Sequence, residues 1–430
     1  MLIRTTLTII LLIAGCLAGQ RARAAEVLTW EDCVKEALTN HPDLVAARAR
    51  IDAARASRRI AASGLYPQLR ASVSGRTSDR SGGDSDRADG EQSASYSSSI
   101  SAEQLVFDKS KTSLEIKAAA ANFRAAQYNY AATSATVRQR LRTAFVQLLK
   151  AQELLKITEE IAERRKENVE HVTLRYKAGR EHRGSLLTAQ ANLRQAEYDV
   201  AQAKRLLTLS QRRLFKELGR TEPADVEAKG ELQAGEYPPN EMDFLQIAES
   251  TPTVRSLRAG TEAARYRLES AKANYYPEIS ASASVGTSDS SFPPDEHEWS
   301  VGLSVSIPLY EGGRRKAQVA QARSELTQTY AEEASGRDEV ILTIEERWTD
   351  LQDALENIAV QQQFFEAAEE RAKIAQVQYS NGLITFDNWT IIEDDLVRVI
   401  KSFLNARADA VIAEANWLQA QGIILENIMH

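Results

Sequence analysis

Lys109–Ala178, KSKTSLEIKAAAANFRAAQYNYAATSATVRQRLRTAFVQLLKAQELLKITEEIAERRKENVEHVTLRYKA, runs for 70 residues without a glycine or a proline. Ala, Leu, Gln, Glu, Lys and Arg dominate it, the residue types that favour helix. At 1.5 Å per residue, one unbroken helix of that length would be roughly 100 Å long. A globular domain has no room for it. A companion stretch, Arg314 to Asn381, is interrupted only by Gly336. The chain is therefore organised by two very long helices and by whatever joins their ends.

At the far end of the first helix stands Tyr176-Lys177-Ala178-Gly179, with Gly179 as a helix stop. A helix returns from Ser185 to Leu218 and stops at Gly219, and residues 220–242 read as a connector. On the other side, Thr29-Trp30-Glu31-Asp32 is a capping-box start for a helix to about Asn40. His41-Pro42 opens the next helix, which runs to about Gly64. After Tyr66-Pro67 the period changes to two: Leu69, Ala71 and Val73 alternate with polar residues over Gln68–Gly75, which predicts a strand. Arg76–Gln92 reads as a polar loop, and serine-rich alternation resumes from Ser93 through Leu105.

The chain then repeats itself. Pro42 and Pro67 are matched by Pro252 and Pro277, each 210 residues on, and Tyr66-Pro67 by Tyr276-Pro277. Later landmarks match at a spacing of 203: Phe107 with Tyr310, Tyr176 with Tyr379, Gly179 with Gly382, Gly219 with Gly422. The difference falls between the two strands, where the second loop, Asp289–Glu298, is shorter. Each copy reads helix, strand, strand, long helix, return helix, a tandem duplication that bounds the domains. The expected organisation is a signal peptide over 1–24, a first repeat over 25–219, the 220–242 segment and a second repeat over 243–430.

In the second copy Ile279, Ala281, Ala283 and Val285 alternate with Ser and Gly. Trp299, Val301, Leu303, Val305, Ile307 and Leu309 do the same. One face is apolar and the other small and polar. The strands have the length, roughly 9 to 11 residues, that crosses a bilayer when tilted. A soluble sheet would place the apolar face on a core; a membrane barrel would place it on lipid. No segment is left over to cover that face, and the chain carries an export signal, which favours the barrel. Four strands cannot close one, so several chains must contribute, because unpaired edges are not tolerated in lipid. Two chains give about eight strands with a filled interior, whereas three give a water-filled lumen. The expected fold is therefore mainly α with membrane β: a long α-helical coiled-coil barrel continuous with a trimeric 12-strand β-barrel, four strands per chain.

Bulk properties exclude other classes. Net charge is −7, which gives no support to nucleic-acid binding. The two cysteines, Cys16 and Cys33, imply no disulfide framework, and Cys33 reads as core. The N-terminus is a secretory signal, with Arg4, an apolar run from Thr5 to Ala14 and a cleavage site at Ala22-Arg23-Ala24. A second reading stands beside it: Ile13-Ala14-Gly15-Cys16 resembles a lipobox, with Cys16 as the lipidated residue. Nothing resembles a catalytic set, a Zn motif or a phosphate loop, so neither an enzyme nor a cofactor is expected. Asp295-Glu296-His297-Glu298 and the Asp79, Asp84, Asp86, Asp89 series read as solvated loops rather than metal sites. Three methionines give no support to a methionine-based metal route.

Together these features resemble the outer-membrane efflux protein family, the TolC-like channels. The resemblance rests on Asn40-His41-Pro42-Asp43-Leu44, the two Tyr-Pro strand entries, Ile307-Pro308-Leu309-Tyr310-Glu311-Gly312-Gly313-Arg314 and the Tyr-x-x-Gly tips. It implies a homotrimer in outer-membrane lipid with a helical tunnel across the periplasm, docked to a periplasmic adaptor and an inner-membrane RND or ABC transporter. By that resemblance the tips, Tyr176, Gly179, Arg180 and Ser185 with Tyr379, Gly382, Leu383 and Thr385, meet the adaptor. The periplasmic mouth is assigned to Asp387, Asn388, Glu393, Asp394 and Asp395, where a solvated helix face is the competing reading. Some relatives carry aspartates where this chain has Asn388 and Ile391. The expected function is a passive exit duct for efflux or type I secretion; the rivals are a coiled-coil scaffold with a soluble head and a stand-alone diffusion porin.

Overall fold

A computed structural model describes residues 26–79, 92–222, 225–235, 237, 242–294 and 296–428. The segment expected to be a signal, with Cys16, and Asp84, Asp86, Asp89 and Asp295 lie outside the described residues. The chain divides into two compact units, each drawing on both sequence repeats. One, the helical unit, comprises Met1–Val45, Ala132–Ile247 and Ile341–His430. The other, the sheet unit, comprises Ala46–Ala131 and Ala248–Val340.

In chain order the elements are β1 (Glu26–Leu28), α1 (Trp30–Asn40), α2 (Pro42–Ser63), β2 (Gln68–Asp79), β3 (Gln92–Phe107), α3 (Lys111–Lys177) and α4 (Arg183–Leu218). They continue with β4 (Val226–Ala228), α5 (Phe244–Ser250), α6 (Pro252–Ala273), β5 (Glu278–Asp289), β6 (Glu296–Ser306), α7 (Arg314–Ser380), α8 (Phe386–Ala420) and a 3-10 turn, Leu425–Ile428. The duplication is metrically close. α2 and α6 have 22 residues each, β2 and β5 have 12, and α3 and α7 have 67.

All four helix ends at the matched glycines close in the same way. Gly179, Gly219, Gly382 and Gly422 have φ between 70° and 77°. At each, the glycine N–H and the next N–H turn back onto the last helical turn, as in Arg180 N to Arg175 O at 2.9 Å and Leu383 N to Gln378 O at 2.9 Å. This is the Schellman closure, which a side-chain-bearing residue enters only under strain.

Within the sheet unit β2, β3, β5 and β6 form one antiparallel sheet in that order. The register carries one face through all four strands. Ala71, Ile100, Val285 and Trp299 stand in one row and Leu69, Ala102, Ala283 and Val301 in another. The opposite face holds Arg70, Ser101, Ser284 and Ser300 in a row. Its serines bond across strands, Ser72 to Ser99 at 2.9 Å and Ser284 to Ser300 at 2.8 Å. The apolar face is not packed on helices of its own unit: Val73 is 82%, Trp299 79% and Leu303 69% exposed. Among the described residues the outer edges of β2 and β6 have no partner strand.

In the helical unit the core gathers Phe145, Leu141, Leu148, Leu214, Leu351 and Trp417, all under 2% exposed. Cys33 is fully buried there, and burial pushes its thiol up to about 12. The His41-Pro42 motif is a junction of three helix ends. His41 Nδ1 accepts the Asp43 N–H at 3.1 Å, so Nε2–H is presented to Glu217, 3.3 Å away near the end of α4. Arg140 of α3 bonds Asp43, which holds that carboxyl below its usual range. A Cβ on Gly219 would lie 2.5 Å from the Asn40 carbonyl oxygen, so α4 ends against the end of α1.

Several sequence boundaries move. Arg76–Asp79, expected in a loop, continues β2 and pairs with 92–95; its polar residues hid the strand from a pattern based on alternation. The first long helix starts at Lys111 rather than Lys109, because Lys109 and Ser110 adopt positive φ (54° and 65°) and Asp108 caps the first turn through Thr112 N at 2.7 Å. The return helix starts at Arg183, capped by His182 rather than at Ser185. The parallel pairing of β1 with β4 inside the 220–242 segment was invisible, being three residues long.

Candidate functional site at the helical tips

The two long-helix turns come together in the helical unit around one aromatic cluster. Tyr379, in the last turn of α7, stacks on Trp389 of α8 with centroids 4.5 Å apart and planes at 6°. Phe386 meets both edge-on at 6.1 Å. Val172 of α3 and Ala189 of α4 complete the cluster, so both copies contribute. Arg175 of α3 lies over the other face of Tyr379 at 4.7 Å and donates to the Tyr379 carbonyl at 3.1 Å. The Tyr379 hydroxyl donates to Glu181 at 3.2 Å. Glu181 also accepts from Ser185 Oγ at 2.8 Å. Burial, then the Glu181 charge, pushes the Tyr379 phenol up to about 12.

The residues expected at the tips therefore divide. Tyr379 and Ser185 are buried, at 5% and 1% exposure, and build the tip from inside. Tyr176, Arg180, Leu383 and Thr385 are exposed, Leu383 at 73%. Thr385 caps α8 by accepting the Asn388 N–H at 3.3 Å. A Cβ on Gly179 or Gly382 would meet nothing within 4 Å. Their backbone conformation, rather than close packing within the chain, is what calls for glycine.

The acidic residues of α8 also divide. Asp387 and Asn388 are exposed in its first turn. Asp394 accepts from Arg165 of α3 at 2.5 Å. Asp395 is held by Arg371 of α7 at 2.5 Å and by Arg398. Glu393 is 3% exposed, with Arg164 as its nearest cation at 4.0 Å. Burial raises its carboxyl above the usual range, partly offset by Arg164 and Arg165. Farther along α8, Lys401 reaches Asp199 of α4 at 2.7 Å and Arg407 reaches Glu153 of α3 at 2.9 Å. Sequence reasoning passed over these basic partners. The signal was there: Arg164-Arg165 on α3 is a basic pair equal in length to Glu393-Asp394 on α8.

Among the described residues no helix is long and apolar enough to cross a membrane. The chain thus combines long paired helices ending in capped tips with a four-stranded sheet whose apolar face is exposed.

The comparisons agree. The chain matches the outer membrane efflux protein family over residues 33–220 and 245–422 and belongs to it. It is 24% identical over 413 residues to outer membrane protein TolC of Escherichia coli K12, covering 91% of this chain and 82% of TolC. It is 26% identical over 182 residues to outer membrane efflux protein BepC of Brucella suis, 42% of this chain but only 40% of BepC. Alkaline protease secretion protein AprF of Pseudomonas aeruginosa is 26% identical over 307 residues, 68% of this chain and 63% of AprF. Among solved structures, CusC superimposes with a TM-score of 0.81 at 19% identity, covering 91% of each chain. The chain is an outer-membrane protein of a family of channels, not of enzymes.

Proposed function

We propose that three copies of the chain close one 12-strand barrel in outer-membrane lipid and continue inward as a helical duct, the passive exit of a tripartite efflux or type I secretion system. The observation that carries the reading is the sheet: among the described residues both outer edges lack a partner strand, and the apolar face is uncovered. Open edges and exposed backbone groups are excluded from hydrocarbon, so closure between copies follows once the face meets lipid. The serine face then lines the lumen. A periplasmic adaptor would meet the exposed tip residues Tyr176, Arg180, Leu383 and Thr385, and an inner-membrane RND or ABC transporter would supply the energy.

The mouth is proposed to be governed by α8. Arg165–Asp394, Lys401–Asp199 and Arg407–Glu153 tie it to the first-copy helices α3 and α4. Opening requires those ties to yield, so Asp394 acts in the latch rather than as a bare ring charge, while Asp387 and Asn388 stay free to face cargo. The test is conductance of the purified protein in planar bilayers together with export by cells lacking the gene. A duct shows a pore and a deletion phenotype shared with loss of its pump. A pore whose loss leaves export intact would reassign it as a diffusion porin.

A further inference from the structure

A groove of about 710 Å³ lies in the helical unit between α3, α7 and α8. Its floor is apolar, formed by Ile157, Ile161, Phe365, Leu396, Ile400 and Phe403. The volume and the mix of an apolar floor with a few charges are those of a small-molecule site. Its charges do not balance. Glu153 is taken by Arg407 at 2.9 Å and Glu369 by Lys373 at 3.3 Å. That leaves exposed Glu160 and buried Glu393 in the lining with Arg164 as the one remaining cation. Glu393 is 3% exposed and accepts no hydrogen bond among the described residues; Arg164 stands 4.0 Å off. A buried carboxylate without close partners is costly unless a counter-charge arrives.

We propose that this groove binds a hydrophobic organic cation, its apolar body on the Phe365–Phe403 floor and its charge at Glu393 and Glu160. Phe365 and Phe403 stack with centroids 5.5 Å apart, and Arg407 lies over Phe403 at 5.8 Å, so the pair forms a rigid apolar floor against which an aromatic or aliphatic body can lie. An anion would meet the excess carboxylate, and a small hydrated metal ion would leave the floor unused. The site lies on the chain's own helices and does not depend on whether the chain conducts.

The test is isothermal titration of the purified full chain in detergent with tetraphenylphosphonium, and with neutral triphenylphosphine oxide as the uncharged match. Saturable binding at one site per chain is expected for the cation, with affinity at least tenfold weaker for the neutral molecule. Glu393→Gln should weaken the cation at least tenfold and Glu160→Gln about threefold. Ile157→Arg, at a half-buried floor position, should abolish binding and keeps the test decisive if Glu393→Gln fails to fold. Absence of saturation in the unmodified chain, equal affinity for the neutral molecule, or full affinity in Ile157→Arg would overturn the proposal.

Discussion

Replacing Arg165 with Gln should open the mouth. Its side chain is 9% exposed and bonds Asp394 at 2.5 Å, joining α3 to α8. A hydrogen bond to a charged group contributes about 1.5–3 kcal/mol. The Asp394 side chain is 58% exposed, so solvent screening brings the value down to about 1 kcal/mol. That is about a fivefold shift in the opening equilibrium. Lys401 and Arg407 stand seven and thirteen residues beyond Asp394 on the same helix, which spaces the three ties about 9–11 Å apart. At that distance their effects should nearly add. Arg165→Gln, Lys401→Gln and Arg407→Gln together should therefore shift opening by about 3 kcal/mol, or about 150-fold. Single-channel recording in planar bilayers reads the open probability directly. Raising the salt concentration should move the unmodified channel in the same direction, because exposed pairs are screened. A triple variant with the open probability of the unmodified chain would refute the role assigned to these ties.

Other outcomes follow from the packing. Gly219→Ala should destabilise more than Gly179→Ala in thermal melts: both pay about 1–2 kcal/mol for left-handed backbone, but only at Gly219 does the new Cβ meet backbone, 2.5 Å from Asn40 O. Equal losses would contradict the helix-end contact. Cys33, fully buried with its thiol pushed up to about 12, should resist alkylation at pH 8 until the protein is denatured. The Tyr379 phenol, raised from 10.0 to about 12 in the folded tip, adds stability that is whole below pH 10 and lost as pH rises toward 12. Tryptophan emission should report loosening at Trp389 in that window in the unmodified chain and not in Tyr379→Phe.

Much of the fold was legible because its signals are long. Seventy residues without Gly or Pro admit one reading, and a serine–apolar alternation repeated in two copies admits few. The polar ends of β2 and the three-residue β1–β4 pair carried no periodic signal, so only the chain's tertiary pairing reveals them. At the tips the glycines were readable from sequence. The inequality of Tyr176 and Tyr379 was not, although the repeat makes them equivalent: which of two matched tyrosines turns inward depends on Trp389 and Arg175, contributed by other helices. Glu393 and Asp394 of α8 were readable as charges, while their roles depend on cations more than 200 residues away, at Arg164 and Arg165.

The central claim is that one chain supplies a third of a lipid-embedded barrel, and the mass of the detergent-purified particle tests it most directly. The 430-residue chain is 47.6 kDa. Native mass spectrometry should find a particle of three chains, and the protein should remain in the membrane pellet after carbonate washing. A single chain released into buffer without detergent would contradict the account.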